Sequence, residues 1–166
     1  EAGALAYRAF GADCLIAIGG GSPIDCAKSI GVLIAHNADK IKPYEGKTAA
    51  TKPNPPLICV PTTAGTGSEV TFSSVITDTK NRYKMTVKSP YTAAVLAICD
   101  PEMTLTVPPS VTAATGVDAL THAIEAYIAN CHEPISDAVA LHAIRLISGN
   151  LRAAFNDGSD LVARSN

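Results

Sequence analysis

Asp118 and His122 stand four residues apart in a stretch, residues 116–125, whose other positions are mostly Val, Ala, Leu and Ile. On a helix that spacing places both side chains on one face with Cβ atoms about 6 Å apart, close enough to share a cation. A carboxylate paired with an imidazole suits Fe2+, Zn2+ or Mn2+, and coordination positions left open would admit a substrate oxygen. The ordinary alternative is an Asp–His pair on a helix surface. The apolar neighbours weigh against it, because an unpaired carboxylate in apolar surroundings is costly and a metal would compensate it. Two ligands do not complete a site. His132 and His142 have no diagnostic spacing and read as solvent or packing histidines. His36, at the end of the first full helix, suits that helix's C-terminal dipole.

Two loops could hold a nucleotide. Gly19-Gly20-Gly21-Ser22 lies between an apolar run and a run with helical spacing, so backbone amides and the positive end of a helix converge on one point where a pyrophosphate fits. The glycines permit close approach, and Ser22 can cap the helix and donate its hydroxyl. The alternative is a tight strand-to-helix turn, and the spacing is not the G-x-G-x-x-G fingerprint. The second loop is Pro61-Thr62-Thr63-Ala64-Gly65-Thr66-Gly67-Ser68-Glu69, which follows another apolar run. Ligands of open α/β sheets sit at such carboxyl ends of strands. Its threonines could equally satisfy their own backbone. Both loops together favour a nucleotide crevice.

These groups need elements to position them. A helix ending near Phe10 and stopped by Gly11 comes first, then a strand at residues 14–18, buried on both faces, and a helix over 23–36. Residues 37–56 form a loop with a short helix near Tyr44. A buried strand spans 57–60, a hairpin pairs 70–77 with 82–87 across Asp78-Thr79-Lys80-Asn81, and a further strand spans 95–99. Thereafter the texture is helical: Pro108-Pro109-Ser110 starts a helix running to Ala129, and another covers 135–155. The fold class is α/β, part of a dinucleotide-binding parallel sheet domain over residues 1–107, followed over 108–166 by the first helices of an all-α domain. The two helices have apolar faces too wide to cover one another.

The chain has 166 residues, 47% hydrophobic and 17% charged with net charge −2, so it can bury a substantial core but has no basic stripe for nucleic acid. No apolar run approaches the roughly 18 residues of a membrane span. Residues 1–10 lack the pattern of a signal peptide, which points to the cytoplasm. Cys14, Cys26, Cys59, Cys99 and Cys131 are odd in number and lie mostly in apolar runs, so they read as reduced core residues. Unpaired sheet edges and apolar helix faces point to association.

Taken in order, Gly19-Gly20-Gly21-Ser22-Pro23 with Asp25, the Pro61 to Glu69 loop, Asp100-Pro101, and Thr115-Gly116-Val117-Asp118-Ala119-Leu120-Thr121-His122-Ala123-Ile124-Glu125-Ala126-Tyr127 resemble the iron-containing (group III) alcohol dehydrogenases, in the branch of lactaldehyde reductase, 1,3-propanediol dehydrogenase and butanol dehydrogenase. The resemblance implies a dinucleotide-binding domain, a helical domain and an active site in the cleft between them. It implies hydride transfer between NAD or NADP and a small primary alcohol or aldehyde, with Fe2+, or else Zn2+ or Mn2+, as Lewis acid. Carried over by position, Gly20, Gly21 and Ser22 hold the pyrophosphate, Asp25, Thr62, Thr63, Thr66 and Ser68 line the crevice, and Lys84 reaches the ribose unless it is simply an exposed strand lysine. Asp118 and His122 are two of four metal ligands. The other two, both histidines, would follow Asn166, and the acidic residue that helps choose NAD over NADP would precede Glu1. The chain by itself is therefore expected neither to hold iron tightly nor to turn over, and a full-length chain is expected to be a homo-oligomer. Two rivals stand beside this. One is the related glycerol dehydrogenase or dehydroquinate synthase type with Zn2+, disfavoured by Ser22 and by the flanks of the Asp-x-x-x-His helix. The other is a non-catalytic nucleotide-binding fragment.

Overall fold

Ile24, Lys28 and Val32 repeat every four residues, so a helix built on them must turn all three to one side. In the computed structural model, which describes residues 1–166, that helix is α2, Gly21–Ala35, and all three residues are fully buried. It follows α1, Ala2–Ala9, and the strand β1, Leu15–Gly19. Gly11, at φ +60, provides the left-handed stop expected after α1. β1 pairs in parallel with β2, Leu57–Pro61, from Leu15↔Leu57 to Gly19↔Pro61. β5, Leu96–Ala97, pairs in parallel on the other side of β2. It is shorter than the expected 95–99, although Val95 and Ile98 still donate their amides to Leu57 and Cys59 at 2.9 and 2.8 Å.

α2 packs on one face of this sheet, where Ala17, Leu57 and Cys59 meet Ile24 and Ala27. The opposite face corrects the expectation of a strand buried on both sides: Ile16 and Ile18 are 62% and 59% exposed. Alternate residues of a strand face opposite ways, and no element of this unit packs over theirs. The cysteines need a similar correction, because only Cys59 is buried. Cys14 and Cys99 lie just outside the paired strands, Cys26 is on the outer side of α2, and Cys131 is in the link between two helices. All five are free thiols, and burial pushes the Cys59 thiol above its ordinary value.

The hairpin forms as β3, Ser73–Asp78, and β4, Tyr83–Lys88, a little shorter than expected at its first strand. Asp78 closes the turn by accepting amide hydrogens from Lys80 and Asn81 at 3.1 and 3.0 Å. Met85 and Val87 join Val32 and Ala50 in a second core, so the hairpin lies against α2. The loop of residues 37–56 carries the expected short turn of helix, Lys42–Tyr44, and its Gly46 bridges to Val87.

Lys28 ties hairpin to helix. Its Nζ donates to the carbonyls of Thr71 and Ser73 at 2.7 and 2.9 Å and to Thr71 Oγ1 at 3.2 Å. Burial pushes its ammonium below the ordinary value, and the Asp25 carboxylate opposes that shift. Lys28→Met preserves bulk but removes the donors. Each orphaned carbonyl costs roughly 1–3 kcal/mol, removing a buried cation returns part of that, and the net expected loss is about 2 kcal/mol. Native-state hydrogen exchange of the Val75 amide, bonded to Asp25 Oδ2, reads this locally. Unchanged protection there would show that Lys28 is a passenger.

The second unit is helical. α3, Pro109–Ile128, begins with proline at its first position, and α4, Pro134–Asn156, is capped by Glu133, whose carboxylate accepts from Ile135 and Ser136 at 3.1 and 2.9 Å. The two pack antiparallel, with Gly116 so close to Leu151 that a Cβ would collide with it. A short α5, Leu161–Ser165, capped by Asp160, was not expected, because five residues carry no readable period. Val117, Ile124, Ile128, Val139 and Leu141 remain exposed, in keeping with apolar faces too wide for two helices. No helix is long and apolar enough to cross a membrane. Contacts group residues Glu1–Pro61 with Ser68–Cys99 as one compact unit, and Thr62–Gly67 with Asp100–Asn166 as the other.

Candidate functional site

The glycine loop owes its shape to two backbone requirements. Gly19 ends β1 at φ +148, and a Cβ there would lie 2.7 Å from the Pro23 ring, so the turn into α2 excludes other residues. Gly20, not Ser22, is the N-cap, and the helix starts at Gly21, two residues earlier than expected. That corrects the capping role of Ser22, which occupies the second helical position and is exposed. The geometry leaves the amides of Gly20, Gly21 and Ser22 without intrahelical acceptors, and Pro23 has no N–H to add. Three donors and one hydroxyl at the positive end of a 15-residue helix make a cradle for an anion. One turn on, Asp25 is 8% exposed. Its Oδ2 accepts from Val75 N at 2.9 Å and its carbonyl from Ser74 Oγ at 2.7 Å, while Oδ1 is buried without a partner. Asp25 thus anchors β3 and keeps one oxygen free to accept.

The Thr/Gly loop begins one residue beyond Pro61, the register partner of Gly19. Its conformation is set by Gly65 and Gly67, at φ +106 and +61. Gly65 presses on α3: a Cβ at this position would collide with the backbone carbonyl of Thr115. The Gly65 carbonyl in turn accepts a hydrogen bond from His122 Nδ1 at 3.2 Å. His122 Nε2 lies 3.9 Å from Asp118 Oδ1, too far for a hydrogen bond and wider than the roughly 3.4 Å that separates two ligands each at about 2.0–2.2 Å from one tetrahedral cation. Donor chemistry therefore fits a divalent metal, and rotation of these two exposed side chains by a few tenths of an ångström would bring the spacing to it. The side chains of His122 and Asp118 are 53% and 48% exposed, so the expected cost of an apolar setting does not apply here. Val117 and Ile124 beside them are exposed as well, which is why apolar neighbours in sequence did not mean burial. No cluster of three or more His, Cys, Asp or Glu side chains has metal-binding geometry.

The other expected positions are scattered. Thr63 lines a cavity of about 100 Å3 with Thr112, Thr115, Gly116 and Leu151, within the helical unit. Thr62 is half-buried, Thr66 exposed and Ser68 buried. Lys84 is exposed on the hairpin face opposite Met85 and Val87, hence turned away from α2. His36 is the C-cap of α2, with Nδ1 3.0 Å from Val32 O and Nε2 accepting from Thr51 N at 3.1 Å. His132 stands 3.5 Å from Asp137, and His142 is exposed. Lys28 and Gly65 were not singled out from sequence. Lys28 had a signal, its place on the Ile24–Val32 stripe; Gly65 had none, because its carbonyl's partner lies 57 residues away.

Known proteins resemble this chain over nearly its whole length. The family model "Iron-containing alcohol dehydrogenase" matches residues 1–101, and "Fe-containing alcohol dehydrogenase family, C-terminal" matches residues 112–166. A 1,3-propanediol dehydrogenase from Citrobacter freundii is 47% identical over 160 residues, 96% of this chain and 41% of that protein. Among solved structures, a 1,3-propanediol oxidoreductase superposes with a TM-score of 0.94 at 45% identity, over 98% of this chain and 42% of its own. A sulfoacetaldehyde reductase from Bifidobacterium kashiwanohense in complex with NAD+ gives 0.91 at 39% identity, over 98% and 43%. The chain thus spans about two fifths of the length of these relatives.

Proposed function

Because the chain belongs to the iron-containing alcohol dehydrogenase family, we propose that it is part of an oxidoreductase passing a hydride between NAD or NADP and a small primary alcohol or aldehyde, with a divalent metal, Fe2+ foremost. Its first 107 residues serve the dinucleotide, and residues 108–166 begin the metal-binding helices. The observation that carries this is the half-site on α3: His122, its Nδ1 engaged by Gly65, directs Nε2 toward Asp118 at 3.9 Å.

A bound metal supplies Lewis acidity to the substrate oxygen, and the nicotinamide gives or accepts the hydride. The chain's residues do the holding. The amides of Gly20, Gly21 and Ser22 and the Ser22 hydroxyl receive the pyrophosphate, which fixes how far the nicotinamide reaches. Asp25, Thr62, Thr63, Thr66 and Ser68 serve the cofactor crevice, and Lys84 the ribose. The Asp118 carboxylate offsets the charge of the cation, and neutral His122 offers it a lone pair. Two protein ligands leave the coordination incomplete, so the intact enzyme must add others. We place that enzyme in the cytoplasm as a homo-oligomer.

The test uses the intact enzyme, stripped with a chelator and reloaded with Fe2+, Zn2+ or Mn2+, and follows NAD(P)H absorbance with small aldehydes. Metal-dependent oxidation is expected. Its absence with all three metals would overturn the reading, and calorimetric nucleotide affinity without turnover would favour a non-catalytic binding module.

A further inference from the structure

We propose that the backbone carbonyl of Gly65 is a positioning group for the metal site, fixing which nitrogen of His122 is offered to the cation. The inference rests on the metal-binding reading above and deepens it. A neutral imidazole carries one ring hydrogen, and the partner of one nitrogen decides the state of the other. A carbonyl oxygen can only accept, so the contact of 3.2 Å requires the hydrogen on Nδ1. Nε2 then keeps its lone pair, on the side where Asp118 Oδ1 lies 3.9 Å away.

The carbonyl is itself held. At φ +106, and with any Cβ colliding with the carbonyl of Thr115, Gly65 admits no side chain, so the loop seats close on α3. Thr115, Asp118 and His122 are spaced three and four apart and share one face of α3. One end of that face therefore positions the loop, and the loop positions the ring at the other end. The stretch Thr62–Gly67 of the same loop carries Thr62, Thr63 and Thr66 of the cofactor reading, so a change in its seating reaches the metal without touching a ligand.

Zn2+ affinity of the chelator-stripped intact enzyme, measured by competition with a chromophoric chelator and without turnover, tests this. Two variants are compared with the wild type: Gly65→Ala, and the protein in which His122 is replaced by Nδ-methylhistidine. The methyl group removes the Nδ1 hydrogen but leaves the Nε2 lone pair and the backbone intact. Loss of an outer partner of a ligating histidine weakens metal binding roughly 10–100-fold, and that is the fall expected in both variants at unchanged helix content. If Gly65→Ala does not fold, the methylhistidine protein decides. Wild-type Zn2+ affinity in that protein overturns the inference while leaving the dehydrogenase reading intact, whereas a wild type that binds no divalent metal overturns the reading and the inference together.

Discussion

His122→Ala in the intact enzyme is expected to lower kcat/KM at least about a thousandfold, with metal content falling in parallel and dinucleotide affinity nearly unchanged. The size follows from what is lost. Lewis-acid stabilisation of charge on the reacting oxygen is worth several kcal/mol, and each 1.4 kcal/mol is about tenfold in rate. No other side chain in the chain can take over, because no further His, Cys, Asp or Glu lies with this pair in metal-binding geometry. Asp118→Ala should fall in the same range. The double variant should be scarcely worse than either single one, since both act through one ion and such effects do not add. Metal analysis beside the kinetics makes the test sharp. A variant that loses activity with full metal occupancy, or keeps both, would show that His122 is a surface histidine.

That prediction rests on a pair legible from sequence, and the reason is geometric: a spacing of four on a helix translates directly into proximity. The parallel strands, the hairpin and the two long helices were legible for the same cause, since burial imprints a period on consecutive residues. What was not legible depends on partners distant in the chain. Apolar Ile16 and Ile18 predict a strand, yet only packing decides that α2 covers Ala17 and not them. Cys26 stands between Asp25 and Ala27 on the outer side of α2, so residue type alone misassigned it to the core. Ser22 has the chemistry of a cap, but the preceding glycines let the helix start two residues sooner and moved the cap to Gly20. The Gly65–His122 bond joins residues 57 positions apart, with nothing local to announce it. Loop glycines are read locally as permission to turn; here one of them also supplies an acceptor.

The early start of α2 gives the glycine loop a test in which stability and binding move oppositely. Ser22→Asp puts a carboxylate at the second position of a helix, where the positive end of the dipole favours it by roughly 0.3–1 kcal/mol. The fold should therefore tolerate or gain from the change. A dinucleotide pyrophosphate held by the same amides would meet a like charge and lose a hydroxyl donor. A hydrogen bond to a charged group is worth about 1.5–3 kcal/mol, so with the added repulsion a total near 3 kcal/mol is a reasonable scale. At about 1.4 kcal/mol per decade the dissociation constant for NAD or NADP should rise roughly 100-fold. Ser22→Ala, which removes only the hydroxyl of an exposed residue and so loses about 1.5 kcal/mol, the low end of that range, should stay near tenfold. Salt separates the two contributions further, since repulsion at an exposed residue is screened and a missing hydrogen bond is not, so the gap between the variants should narrow as ionic strength rises. Calorimetric titration of the intact enzyme together with thermal unfolding measures all of this. A Ser22→Asp variant of unchanged melting temperature and unchanged nucleotide affinity would mean that the amides of Gly20 to Ser22 hold no phosphate, and that Gly19-Gly20-Gly21 is only the tight turn that its backbone angles require.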